Sequence, residues 1–196
     1  MHLRKSLVAV AAIVAAGLLG LSGTANAATG SFTGYFKSGN ATFAGSTYGC
    51  SSGSISGTYD TIGSPALRFS TVTLSCSTPV GTATVSVTPA GCPGGVAVNL
   101  PGPTRTSGID TSIAGTAVMG TGTCVKVSGL GGLCTANSQG TIGASYNETV
   151  SGVNDNEITF SGTGSLANQS GCLGLWSGNY TLNNFTFGIA PALNFV

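Results

Sequence analysis

The chain has 196 residues, 32 of them glycine and six cysteine, and it carries only six Lys or Arg and five Asp or Glu side chains, for a formal net charge of +1. Its single histidine is His2, so a Ser-His-Asp triad or a histidine-bearing zinc site requires that residue. So few cations cannot form the basic face that nucleic-acid binding needs, and we expect no nucleic-acid partner.

Residues 1–27 have the pattern of a secretory signal peptide. Arg4 and Lys5 are followed by an uncharged apolar run of about 15 residues, and the Ala-Asn-Ala sequence at 25–27 is a typical cleavage site. A retained membrane anchor is the alternative, but the run is shorter than the roughly 20 residues that span a bilayer. We therefore predict one exported domain, residues 28–196, with no histidine and a net charge near −1.

The remaining sequence predicts strands. Gly, Thr, Ser and Val are abundant, whereas Glu, Lys and Gln are scarce, which favours strands and tight turns over helices. Apolar and hydroxyl residues alternate through 71–76 and 82–88, which predicts a hairpin with its turn at 77–81. A second hairpin is predicted from 142–150 and 157–163. Further strands are predicted near 31–37, 40–47, 54–59, 95–99, 112–119 and 123–128.

Two strands change phase along their length. Leu67 and Phe69 alternate in one phase and Val72 in the other, and the same shift separates Leu182 from Phe185. A β-bulge produces such a shift and bends the strand. Four prolines between 89 and 103 predict a long loop with one short edge strand. The predicted fold is all-β, a single antiparallel β-sandwich or closed β-barrel of about ten strands.

The cysteines predict disulfides. An even number behind a signal peptide is typical of an oxidised, exported protein, and the sequence contains no C-x-x-C pair. Six cysteines permit 15 pairings, and the sequence cannot select one; we predict Cys50–Cys76, Cys124–Cys134 and Cys92–Cys172. The second pair rests on the Gly-rich hairpin between those cysteines.

Glu148, Asp155 and Glu157 are the only cluster of acidic residues. Two carboxylates flank the sugar in glycoside hydrolases, but acids at a hairpin turn are usually solvated. The same segment is a weak candidate for Ca²⁺ through Asp155 and Glu157, although the EF-hand spacing is absent. Glu148 shares the phase of Tyr146, which is predicted to face inward, and it is therefore a possible ligand-binding residue.

Trp176 and Tyr180 are the other candidates for ligand contact. Together they could form a platform for a sugar or a lipid, or Trp176 could pack in the core against a disulfide of Cys172. A Ser-Lys dyad needs a buried lysine, and Lys126 in a tight hairpin is expected to face solvent.

The expected function is non-catalytic. We expect a secreted protein, without a cofactor, that acts extracellularly or at the cell surface, by binding or as part of an envelope layer. Two alternatives remain: a barrel inserted in a lipid-rich outer envelope, and a carrier of a small apolar ligand. The sequence does not identify the ligand, the partner or the oligomeric state.

Overall fold

The computed structural model describes residues 28–43, 45–61, 63–78, 81–87, 92, 95–100, 111–119, 124–148, 156–172, 178–191 and 193. The predicted leader lies outside these ranges. The strands are β1 Thr29–Phe43, β2 Ser46–Asp60, β3 Leu67–Thr78, β4 Gly81–Val87, β5 Val96–Asn99, β6 Thr111–Val118, β7 Val125–Gly129, β8 Cys134–Gln139, β9 Thr141–Glu148, β10 Glu157–Ser170 and β11 Gly178–Ala190.

The strands form a closed antiparallel barrel. Eight of them close the ring in the order β11-β1-β2-β3-β4-β7-β8-β10, and β10 pairs back onto β11. The all-β prediction is confirmed, and of its two architectures the barrel is the correct one.

The other three strands extend the same barrel lengthwise. One edge of β3 pairs with β4 over Thr73–Thr78 and with β5 over Leu67–Phe69, so β4 and β5 lie in line along β3. In the same way β10 pairs with β9 over Glu157–Ser161 and with β8 over Ser165–Ser170. Because β6 pairs with β5 and β9, and β7 with β4 and β8, the barrel has eight strand positions along its full length.

The inner face of the barrel is apolar and the outer face is rich in hydroxyl groups. On β2, Tyr48 and Ile55 are buried, whereas Thr47 and Ser54 are exposed. On the outer face, hydroxyl groups pair across strands, as between Ser54 and Thr73 at 2.7 Å. The alternation of a half-buried strand, read from the sequence, is therefore maintained around the barrel.

Both predicted bulges are present. On β3, Ser56 pairs with Thr71 and Gly57 with Phe69, so Ser70 is the extra residue. On β11, Asn183 and Asn184 lie between the pairs Phe160–Phe185 and Gly162–Leu182, opposite a single residue of β10. Asn184 has φ 51°, a left-handed conformation that asparagine tolerates. Each bulge keeps the apolar residues on both of its sides facing inward.

Three predicted strands differ from the structure. The predicted strands 31–37 and 40–47 do not meet at a turn: β1 runs through both, because a bulge at Ser38 restores its pairing with β11, and β2 begins at Ser46. The predicted edge strand near 95–99 is not an edge, since β5 pairs with β3 on one side and β6 on the other.

The side chains at one end of the barrel, which we call the tail end, are almost completely buried. Phe32, Leu67 and Ile158 are at most 1% exposed there. Leu193, beyond the last strand, is 1% exposed and closes this end. The Tyr146 hydroxyl accepts a hydrogen bond from the Leu193 N–H at 3.0 Å and lies 3.0 Å from the Leu193 carbonyl oxygen. The opposite end, where Gly45 and Gly131 form turns, we call the hairpin end.

The six cysteines form three disulfides, Cys50–Cys76, Cys92–Cys124 and Cys134–Cys172. The predicted Cys50–Cys76 pair is confirmed, and the predicted Cys124–Cys134 and Cys92–Cys172 pairs are wrong. The hairpin of β7 and β8 does form, but its register sets Gly129 opposite Cys134. Cys124 directly precedes β7 and lies five residues before Gly129, about 17 Å from it at the rise of a strand. A disulfide cannot bridge this distance.

Candidate functional site

A cavity of about 140 Å³ lies inside the barrel between its middle and the hairpin end. Its wall is built from inward side chains of all eight strand positions, and the surface it presents is almost entirely carbon. Small side chains make the space, notably Ala41, Ala83 and Ala117. An eight-stranded barrel has an interior that side chains just fill or that holds one small ligand. Here the cavity lies toward the hairpin end, whereas Phe32, Leu67 and Ile158 at the tail end are buried.

Aromatic rings form two parts of this wall. At the hairpin end, the Phe43 ring centroid lies 5.4 Å from that of Tyr48 and 5.6 Å from that of Tyr180. In the middle of the barrel, Phe160 lies 5.6 Å from Phe69 in an edge-to-face arrangement. Such rings supply large apolar area with few rotatable bonds, which suits a preformed binding wall.

Apart from the Tyr48 phenol and the Cys76 sulfur, the polar side-chain atoms of the described wall belong to one small cluster, formed by Tyr180, Ser138 and Met119. The Tyr180 and Ser138 hydroxyl groups share a short hydrogen bond. The Met119 sulfur lies 3.2 Å from Ser138 Oγ and 3.3 Å from Tyr180 Oη. Burial raises the pKa of the Tyr180 phenol above its ordinary value of 10.0, and the hydrogen bond with Ser138 opposes the rise. Tyr180 is therefore neutral at physiological pH.

A glycine permits the position of Tyr180. Tyr180 on β11 is paired with Gly164 on β10, and its ring lies across that glycine to reach Ser138 on β8. A Cβ atom added at Gly164 would lie 2.8 Å from Tyr180 Cε1 and closer still to the hydroxyl oxygen. Any other residue at this position would displace the phenol ring.

The predicted site residues are dispersed. Tyr180 lines the cavity. Glu157 is on the opposite side of the sheet wall, where its Oε1 accepts a hydrogen bond from Lys37 Nζ at 2.6 Å. Glu148 ends β9 opposite Thr111, and its side chain lies outside the described part of the structure. Asp155 and Trp176 are likewise outside the described residues.

Ser138 and Met119 were missed by the sequence reasoning. Asn137 and Ser138 are consecutive buried polar residues in β8, and no alternation of apolar residues marks that strand. Met119 follows the end of β6 in a segment without a motif. Of the three residues in this cluster, only Tyr180 could be identified from the sequence.

Metal-ion clusters and membrane-spanning helices are absent from the described residues. No group of three or more His, Cys, Asp or Glu side chains among them is arranged to hold a metal ion. No helix in this part of the chain has the length and hydrophobicity to cross a membrane. Comparison of the chain with protein-family models, with curated proteins and with solved structures found no match.

Proposed function

We propose that this protein is an exported, non-catalytic carrier that holds a small apolar ligand inside its barrel. The observation that carries the proposal is the cavity of about 140 Å³ walled by apolar side chains. A cavity of this size and lining, about 150 Å³ in an engineered protein core, stays dry and binds benzene or xenon. An unfilled space in a core costs stability, which a bound ligand restores.

The distribution of polarity favours a carrier over a barrel inserted in a lipid-rich envelope. An inserted barrel needs an apolar band on its outer face. Here the described outer face carries Ser, Thr and Asn, and only three large hydrophobic side chains in the described residues are exposed: Tyr35, Val118 and Leu133. The apolar surface is directed to the interior, as in barrels that work in water.

The chemistry of the wall supports a non-catalytic role. Its polar side-chain groups are the hydroxyls of Tyr48, Ser138 and Tyr180, the Met119 thioether and the Cys76 disulfide, and the described wall residues include no carboxylate, amine or imidazole. General acid–base catalysis near neutral pH usually uses such groups. The three disulfides are consistent with an extracellular protein, and with the leader-like sequence at 1–27 they support export.

The test is binding of benzene and of xenon to the purified protein. Free benzene at ten times its Kd is expected to raise the free energy of unfolding by about 1.4 kcal/mol. Ala117→Leu adds three carbon atoms to the cavity wall, so it should abolish benzene binding. Ala114→Leu is the matched control, since Ala114 is on the same strand but exposed, and this variant should bind as the wild type does.

The proposal is overturned if neither benzene nor xenon binds, or if Ala117→Leu binds benzene as well as Ala114→Leu does. Binding of the wild-type protein to lipid vesicles, with no benzene binding in solution, would favour the envelope alternative instead.

A further inference from the structure

The carrier proposal leaves the chemical class of the ligand open, and the polar cluster of the cavity limits it. We propose that the cavity selects hydrocarbons, or the hydrocarbon part of a larger ligand, and rejects analogues that bury a hydroxyl group in it. This inference rests on the proposed carrier function. It follows from how Tyr180, Ser138 and Met119 use their hydrogen-bonding capacity.

The cluster has two hydroxyl protons, and both have acceptors within it. One proton lies between Tyr180 Oη and Ser138 Oγ. The hydroxyl group that accepts this bond has its own proton left, and the Met119 sulfur lies 3.2–3.3 Å from both oxygens. The cluster therefore presents no free donor to a ligand, and almost none of the wall's polar surface, the remaining lone pairs of these oxygens included, reaches the cavity.

The rest of the wall offers a ligand hydroxyl almost no polar surface with which to form a hydrogen bond. Its surface toward the cavity is almost entirely carbon, from side chains such as Phe43, Val127 and Phe185. A ligand hydroxyl placed there loses its hydrogen bonds to water and gains none. Relative to the hydrocarbon of the same shape, its affinity should fall by about tenfold to a hundredfold.

The position of the cluster indicates that it holds the Tyr180 ring in place and does not bind a polar group of the ligand. Tyr180 reaches Ser138 by crossing Gly164, so the phenol ring lies flat against the wall. The pair links β11 to β8 across β10, and the Tyr180 ring packs with Phe43 at the hairpin end. The hydrogen bond between the two hydroxyl groups thus fixes the Tyr180 ring, and a ligand contacts the carbon face of that ring.

Benzene and phenol are the matched probes, compared by isothermal titration calorimetry on the disulfide-bonded protein. The wild type should bind benzene at least tenfold more tightly than phenol. Tyr180→Phe keeps the ring but frees Ser138 Oγ from its partner, so the preference for benzene should shrink severalfold. Tyr35→Phe removes a phenol hydroxyl from an exposed side chain on the outer face and should leave the preference unchanged.

The outcomes separate this inference from the carrier proposal. Phenol binding as tightly as benzene overturns the selection and leaves the carrier intact, whereas binding of neither probe overturns both. If Tyr180→Phe does not fold, Ser138→Ala removes the other hydroxyl and should reduce the preference in the same way. A preference that neither variant changes contradicts the role of the cluster.

Discussion

The ring of Tyr180 lies against the backbone of Gly164, and replacement of this glycine tests the whole arrangement of the cavity. In Gly164→Ala the new methyl group would lie 2.8 Å from Tyr180 Cε1, well inside van der Waals contact. Because the methyl group is fixed to the backbone, the phenol ring must move. The hydrogen bond between Tyr180 and Ser138, two buried residues, is then lost or distorted.

The expected loss of stability follows from two costs and one gain. Leaving buried hydroxyl groups unpaired costs about 1–3 kcal/mol. Forcing the side chain away from its preferred rotamer adds about 0.5–1.5 kcal/mol. Alanine in place of a strand glycine returns about 0.5–1 kcal/mol. Gly164→Ala should therefore lower the free energy of unfolding by about 0.5–4 kcal/mol, and it should weaken benzene binding.

Urea unfolding of the disulfide-bonded protein measures this change, and Gly49→Ala is the control. Gly49 is an exposed strand residue, and a Cβ atom added there meets no atom within 4 Å. This control should be more stable than the wild type by about 0.4–1 kcal/mol. If the two variants have the same stability within about 0.5 kcal/mol, Tyr180 does not cross the sheet at Gly164 and the account of the cavity wall is wrong.

Three further predictions address the pH dependence, the disulfides and the tail end. Burial raises the pKa of Tyr180, so the contribution of the neutral phenol to stability is fully present below pH 10 and is lost as pH rises from 10 toward the folded-state pKa. In that window the free energy of unfolding of the wild type, relative to Tyr180→Phe, should fall by about 1.4 kcal/mol per pH unit. A difference between the two proteins that stays constant with pH in denaturant unfolding would refute this. Replacing Cys134 and Cys172 together by serine should lower the free energy of unfolding by about 4 kcal/mol, since their disulfide closes a separation of 38 residues. Peptide mapping of the unreduced protein should find Cys134 linked to Cys172 and not to Cys124. Leu193→Ala should cost about 2–5 kcal/mol in urea unfolding because the side chain is 1% exposed, and a loss below 1 kcal/mol would show that it does not close the tail end.

Much of the fold was predictable from local patterns. The period of two, with apolar residues alternating with Ser and Thr, identified the hairpin of β3 and β4. The phase changes at Phe69–Val72 and at Leu182–Phe185 identified two bulges, because one extra residue in a strand shifts the phase of every side chain that follows it. The same alternation did not predict that β1 continues past Ser38, where the register with β11 shifts on both sides of that residue.

The candidate site was predictable only in part. Tyr180 was identified because it lies close in sequence to Trp176, the sole tryptophan, with which it could form an aromatic platform, whereas Ser138 and Met119 carry no such signal. They meet Tyr180 because β8 lies beside β10, which in turn lies beside β11, and because the end of β6 comes close to this point, although Ser138 and Met119 are 42 and 61 residues from Tyr180 in sequence. Contacts between such distant residues depend on register, and composition carries no information on register.

By itself the sequence determined a nearly uncharged, all-β chain with cysteines for three bridges, since each of these properties is local or additive. The tertiary structure alone decided that the sheet closes, which cysteines meet and where a space is left inside. Those outcomes depend on how strands pair at long range, and a shift of one residue in that pairing would have exchanged the apolar inner face with the hydroxyl outer face.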